Sequence, residues 1–173
     1  MSTTRLTVTG KLFFLEGDVG VDEILHPRHH GASHAGAFCL ASRGFTADDG
    51  FAVIASSGLF GVGLVRPPVP RGLRQAGIRV AIAPNFSPLF VEHSLNAGMV
   101  LPVKAELPAG LRTGEAISVR FEDDGVLITG SGHSFRSSSR LPNWALSGQT
   151  WSEWLRAQTE AAGGLDAYRA AAL

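Results

Sequence analysis

The chain has 173 residues, 45% of them hydrophobic and only 17% charged, and its 15 basic and 15 acidic side chains cancel. That length suits a single domain, residues 1–173, able to bury about 70% of its unfolded surface. Without a basic footprint, a membrane-length apolar run or a signal-peptide core, the expectation is a soluble cytoplasmic protein with no nucleic-acid or membrane partner.

Residues 5–15, RLTVTGKLFFL, alternate β-branched and aromatic residues with polar ones and predict a strand, and EGDVG supplies a turn. The following HPRHHGASHAGAF reads as a loop. The apolar run at 51–55 ends in Ser-Ser-Gly, as a buried strand does when it feeds a glycine-rich turn. PPVPRGLRQAG then predicts a helix, with proline tolerated in its first turn and Gly77 closing it. IRVAIAPNF is a second buried strand, so the whole is a βαβ unit with parallel strands.

SPLFVEHSLNAG predicts a helix capped by Ser87, with Pro88 at its first position and Gly98 at its end. Two alternating runs around Asp-Asp-Gly in EAISVRFEDDGVLITGS predict a hairpin. The C-terminal stretch is helical, with Trp151, Trp154 and Leu155 on one face and an interruption at Gly163 and Gly164.

Four stretches in this order resemble the small subunit of 3-isopropylmalate dehydratase, the swivelling domain of the aconitase superfamily. They are GKLFFLEGDVGVDEILHP, FGVGLVRPPVPRGLRQAGIRVAIAPNFSPLF, NAGMVLPV and EAAGGLDAY, and together they run nearly end to end. The resemblance implies an α/β fold, a β/β/α three-layer sandwich, that closes over a large subunit carrying a [4Fe-4S] cluster. It also implies hydro-lyase or isomerase chemistry on a small hydroxy di- or tricarboxylate. The cluster belongs to the partner, since Cys39 is the only cysteine here and cannot build one.

The pattern is broken where the chemistry should be. Gly61, Gly63 and Arg66 match the family's Gly-x-Gly-x-x-Arg, but Leu64 and Val65 stand in place of its two serines, and Pro67 and Pro68 in place of Glu-His. The resemblance makes the first serine the proton-abstracting base and the arginine the carboxylate binder. Leucine has no lone pair to accept a proton.

What remains is the binding half: backbone N–H groups of Gly63, Leu64 and Val65 at a helix N-terminus, with Arg66 as a bidentate partner for a carboxylate. A surface or interface salt bridge is the plainer reading of Arg66. The family's two aspartates and the threonine between them fall on Val21, Asp22 and Glu23, so the resemblance gives one carboxylate to Glu23, or to Asp22 if the turn is shifted.

In HPRHHGASH, His26, His29, His30 and His34 invite a metal reading, but no carboxylate or cysteine interleaves them and no metal site is expected. The resemblance makes this loop a specificity element, with Arg28, His29 and His30 as its candidates. His29 or His30 would replace the missing base, because histidine titrates near neutrality. Cys39 reads as a small buried residue, and the three tryptophans as packing. Ser137, Ser138 and Ser139 beside Arg136 and Arg140 suit phosphate or, more simply, a solvated turn.

Two readings follow. In one, the chain is the small subunit of a hydro-lyase acting with a separate cluster-bearing chain. In the other, catalysis is lost and the chain is a binding or structural subunit that stabilises or gates its partner.

Overall fold

The computed structural model describes residues 4–130 and 132–171. In chain order the elements are β1 (Thr4–Leu15), β2 (Val19–Gly20), α1 (Val21–Ile24), β3 (Phe51–Ser56), β4 (Leu59–Val62), α2 (Pro68–Gln75), β5 (Val80–Ala83), β6 (Asn85–Phe86), α3 (Pro88–Asn96), β7 (Leu101–Lys104), β8 (Ala116–Glu122), β9 (Gly125–Gly130), β10 (His133–Ser137), α4 (Asn143–Leu146), α5 (Trp151–Ala161) and α6 (Leu165–Ala171). The last residue of the predicted hairpin, Ser131, and the last two of the C-terminal helix lie outside the described residues.

Seven strands form one mixed sheet in the order β10-β9-β8-β1-β3-β5-β7, and β2, β4 and β6 form a small parallel sheet in the order β2-β4-β6. The βαβ reading holds: β3 and β5 pair in parallel, with Val53 opposite Val80 and Ala55 opposite Ile82. These strands are apolar throughout because both faces are covered. Val53, Ala55, Val80 and Ile82 point into a core with Leu12, Phe121 and Ile128. Ile54, Ala81 and Ala83 point the other way, into a core with α1, α2, α3 and the small sheet.

The hairpin also holds, with Glu122 opposite Gly125 across Asp123 and Asp124. Ser87 does stand at the N-cap of α3, but its hydroxyl caps nothing; its backbone N–H instead donates to Phe60 O at 2.9 Å and ties the helix to β4. The region read as a loop contains short 3-10 turns at Pro27–His29 and Ala35–Phe38. Trp144 meets Trp151 edge-on at 5.7 Å between ring centroids, and Trp151 stacks on Trp154 at 4.9 Å, on helices that lie on the surface.

The large sheet curls until its two end strands meet. Ser139 Oγ, just past β10, donates to Lys104 O at 3.1 Å and accepts from Lys104 N–H at 2.9 Å, so one hydroxyl serves both backbone groups of the last residue in β7. Ser137 Oγ donates to the same carbonyl and accepts from Ser139 N–H. Ser137 and Ser139 are therefore committed to the fold rather than free for phosphate, while Ser138 between them is exposed. Each such bond contributes about 1 kcal/mol. A Ser137→Ala, Ser139→Ala double variant is expected to melt several degrees lower with unchanged secondary structure, at about 2–4 °C per kcal/mol for a chain of this size. Thermal denaturation followed by circular dichroism checks it; an unchanged Tm contradicts the staple.

Candidate functional site

The turn after β1 and the turn after β3 hold each other. Asp18 Oδ1 accepts from Leu59 N–H at 2.7 Å, and Gly17 N–H donates to Ser57 Oγ at 2.8 Å. The buried Ser56 hydroxyl shares its single proton between Gly17 O and Gly58 O, at 3.1 and 3.0 Å. This latch sets β2 beside β4, so that the residues following each strand, 21–23 and 63–66, face one another.

Between them opens a cavity of about 330 Å³. One wall is Gly20, Val21, Asp22 and Glu23; the other is Val62, Gly63, Leu64 and Arg66; Pro27 and His30 close a third side. Of the residues singled out from the sequence, Gly63, Leu64, Arg66 and His30 thus come together, along with Asp22 and Glu23. Leu64 projects into it or over its mouth at 65% exposure, whereas the Val65 side chain is buried at 3% in the core beneath.

Arg28 and His29 do not line the cavity. The His29 ring stacks on Phe38, with centroids 3.9 Å apart and planes 3° from parallel, and its Nε2 accepts from Arg28 Nε at 2.9 Å. Desolvation, then the charges of Arg28 and His26, hold the His29 pKa below its ordinary value. His30 is oriented differently. Its Nε2 lies 3.1 Å from Leu25 O, a contact that requires a donor there, so the neutral ring keeps its lone pair on Nδ1.

Glu23 is occupied. Its Oε2 accepts from Gly20 N–H at 2.8 Å and its Oε1 from Arg43 Nε at 3.0 Å. The Arg43 hydrogen bond, then that from Gly20, lowers its pKa from the usual 4.5. A depressed carboxylate pKa stabilises the fold above the unfolded value, and the gain is lost as pH falls through the folded value. Glu23→Gln is therefore expected to lower Tm at neutral pH, with the two melting curves converging in acid below the ordinary carboxylate range. A pH-independent difference in Tm contradicts this role. The side chains of Asp22 and Arg66, by contrast, have no hydrogen-bond or ion-pair partner among the described residues.

The two glycines serve packing as well as access. A Cβ on Gly61, at φ 83°, would stand 2.8 Å from Phe90 Cβ, and one on Gly63, at φ 115°, would stand 2.9 Å from Val21 Cγ2. Only glycine combines these backbone angles with that proximity.

The helix terminus differs from the anion cradle expected of it. Pro67 is the N-cap of α2, Pro68 its first residue and Pro70 its third, so three of four consecutive positions carry no N–H. The remaining one, on Val69, donates to Arg66 O at 2.9 Å. The amides of Leu64, Val65 and Arg66 donate to no backbone carbonyl among the described residues. Anion recognition therefore falls to that short loop and the Arg66 guanidinium, and away from the helix.

Among the described residues no three His, Cys, Asp or Glu side chains converge as metal ligands. Cys39 is 1% exposed, and burial pushes its thiol up to about 12, so it stays protonated. No helix among the described residues is long and apolar enough to cross a membrane.

Comparison with known proteins agrees with this architecture. No protein-family model matches the chain. The 3-isopropylmalate dehydratase small subunit of Moorella thermoacetica is 23% identical over 124 residues, which span 66% of this chain and 72% of that protein. The crystal structure of 3-isopropylmalate dehydratase from Methanocaldococcus jannaschii superposes with a TM-score of 0.66 at 19% identity, covering 94% of this chain and 93% of that one. The chain is thus similar in sequence to such a small subunit and shares the fold of that dehydratase structure, as its sequence motifs imply.

Proposed function

We propose that the chain is the small subunit of a heteromeric aconitase-type hydro-lyase or isomerase. It acts with a large subunit carrying a [4Fe-4S] cluster on a small hydroxy di- or tricarboxylate, and the whole chain closes as one swivelling unit. The observation that carries this reading is Arg66, an exposed guanidinium with no acid partner among the described residues, at a cavity built where β2 and β4 end, in a fold shared with a dehydratase. A guanidinium held in the open without a carboxylate suits a carboxylate that arrives from solution.

The cluster is assigned to the partner because this chain has one cysteine, buried and protonated, and thiolates are the ligands such clusters need. No step of the chemistry on this chain is routed through it.

Within this reading the chain binds and orients the substrate, and Leu64 excludes water from one side of it. Proton transfer falls to the two acceptors in the cavity that the fold leaves free, His30 Nδ1 and the Asp22 carboxylate. Arg28 and His29 serve the loop that carries His30: Arg28 holds the His29 ring, and the ring packs on Phe38.

The second reading, a subunit that gates its partner without chemistry, is favoured by Leu64 and by the prolines that strip donors from α2. Single-turnover assays of the assembled complex separate the two. Under the first reading His30→Ala or Asp22→Asn lowers the chemical step about 10²-fold or more while substrate still binds. Rates unchanged in both variants, in a complex that still requires this chain, assign it the gating role.

A further inference from the structure

Arg74 and Arg79 line two adjoining cavities at the opposite end of the parallel strands from Arg66. Arg79 immediately precedes β5, Ala52 lies near the start of β3, and Val8 belongs to the first half of β1. The Arg66 cavity, in contrast, is made by residues that follow β2 and β4.

Neither cavity contains an aspartate or glutamate, and neither arginine has an acid partner among the described residues. Arg74 is half-buried, and desolvation, then the charge of Arg79, lowers its pKa. Two like charges brought together at partial burial oppose folding unless something neutralises them.

The notch has a structural cause. β3 pairs with β1 only from Lys11 onward, so Thr7, Val8 and Thr9 have β8 on one side and open space on the other. The exposed Thr7 and Thr9 stand at that open side, where the wider cavity is about 610 Å³. The narrower one, about 180 Å³, continues from the shared residues Val8, Arg74 and Arg79 to an apolar end at Leu6, Met99 and Leu146.

We propose that this notch is a second ligand site, taking a small organic phosphate monoester whose phosphoryl group lies between Arg74 and Arg79 and whose apolar body enters toward Met99 and Leu146. A phosphate monoester carries close to two charges at neutral pH and so matches both guanidiniums, where one carboxylate would match one. The apolar end distinguishes an ester from free phosphate.

Calorimetric titration of the full chain tests it, with phenyl phosphate, inorganic phosphate and benzoate as probes. Phenyl phosphate is expected to bind saturably with a Kd of about 1 mM or below, more tightly than the other two. Each of Arg74→Gln and Arg79→Gln weakens it about ten-fold or more, Arg74→Lys weakens it less, and Arg66→Gln leaves it unchanged. Circular dichroism and Tm confirm that the variants are folded; if Arg74→Gln is not, Arg79→Gln, at an exposed position, carries the test. Binding lost in Arg66→Gln but kept in the Arg74 and Arg79 variants puts the anion in the other cavity and overturns the assignment. Equal affinity for phenyl phosphate and inorganic phosphate, or no saturable binding, overturns it as well.

Discussion

In the complex proposed with a cluster-bearing chain, Arg66→Ala is expected to lower kcat/KM by about two orders of magnitude while leaving the melting temperature of the isolated chain unchanged. The first half follows from what the guanidinium does for a carboxylate. A bidentate charge-assisted pair contributes about 1.5–3 kcal/mol, and a substrate carboxylate left facing a bare cavity loses that along with its orientation. The second half follows from the isolation of Arg66, which makes no ion pair or side-chain hydrogen bond among the described residues and is exposed.

Under the proposed function the carboxylate is held in the ground state and the transition state alike, so much of the loss should appear in KM. Arg66→Lys keeps the charge but not the fork and should fall between. Steady-state kinetics of the three complexes provide the check. Wild-type kcat/KM in Arg66→Ala assigns the residue to the surface, and a fall in Tm assigns it to the fold.

Phe90→Ala is expected to cost about 3–5 kcal/mol, a large part of the 5–15 kcal/mol that typically holds a domain together. Phe90 is fully buried and packs edge-on against Phe60, with ring centroids 5.0 Å apart, and against Phe86 at 6.0 Å. These rings lie beneath the small sheet, whose strands run only two to four residues and supply few hydrogen bonds of their own. The aromatic cluster therefore fixes β4, and β4 aims residues 63–66 at the cavity.

Removing the ring opens a void against Gly61, where an added Cβ would stand 3.0 Å from the first ring carbon of Phe90. Chemical denaturation should show the full loss, and substrate binding should weaken because the loop carrying Arg66 loses its support. A destabilisation below about 1 kcal/mol would mean that the small sheet does not depend on this cluster.

Much of this architecture is legible along the chain. The apolar runs at 51–55 and 80–83 announce strands buried on both faces, and Asp-Asp-Gly announces the hairpin, because each signal is local. The small sheet is not legible. Leu59–Val62 is too short for a period and contains Gly61, and its partners lie at Val19 and Phe86. The closure of the large sheet depends on Ser139 meeting Lys104, 35 residues earlier, and no composition rule anticipates it. The capping box of Thr150 and Glu153 at the start of α5 is a local signal, readable from its spacing.

The site is partly legible for the same reason. Gly63, Leu64, Arg66 and His30 come from two motifs and meet in one cavity, and the loss of the serines is plain in the sequence itself. The separation of His29 from His30 is not, because it rests on a ring stacked against Phe38 nine residues away. The prolines of α2 were visible, and their effect on the anion cradle follows from chemistry alone: an imide nitrogen has no proton to donate. The pairing of Arg74 with Arg79 needs the turn between α2 and β5 to bring them to one notch.

The central claim is that this chain works on a cluster-bearing partner, and anaerobic purification of the tagged chain from its native host tests it most directly. The account predicts one stoichiometric partner chain by mass, with about four irons and matching sulfide per complex. A chain recovered alone, free of iron and binding a small carboxylate by itself, would contradict it.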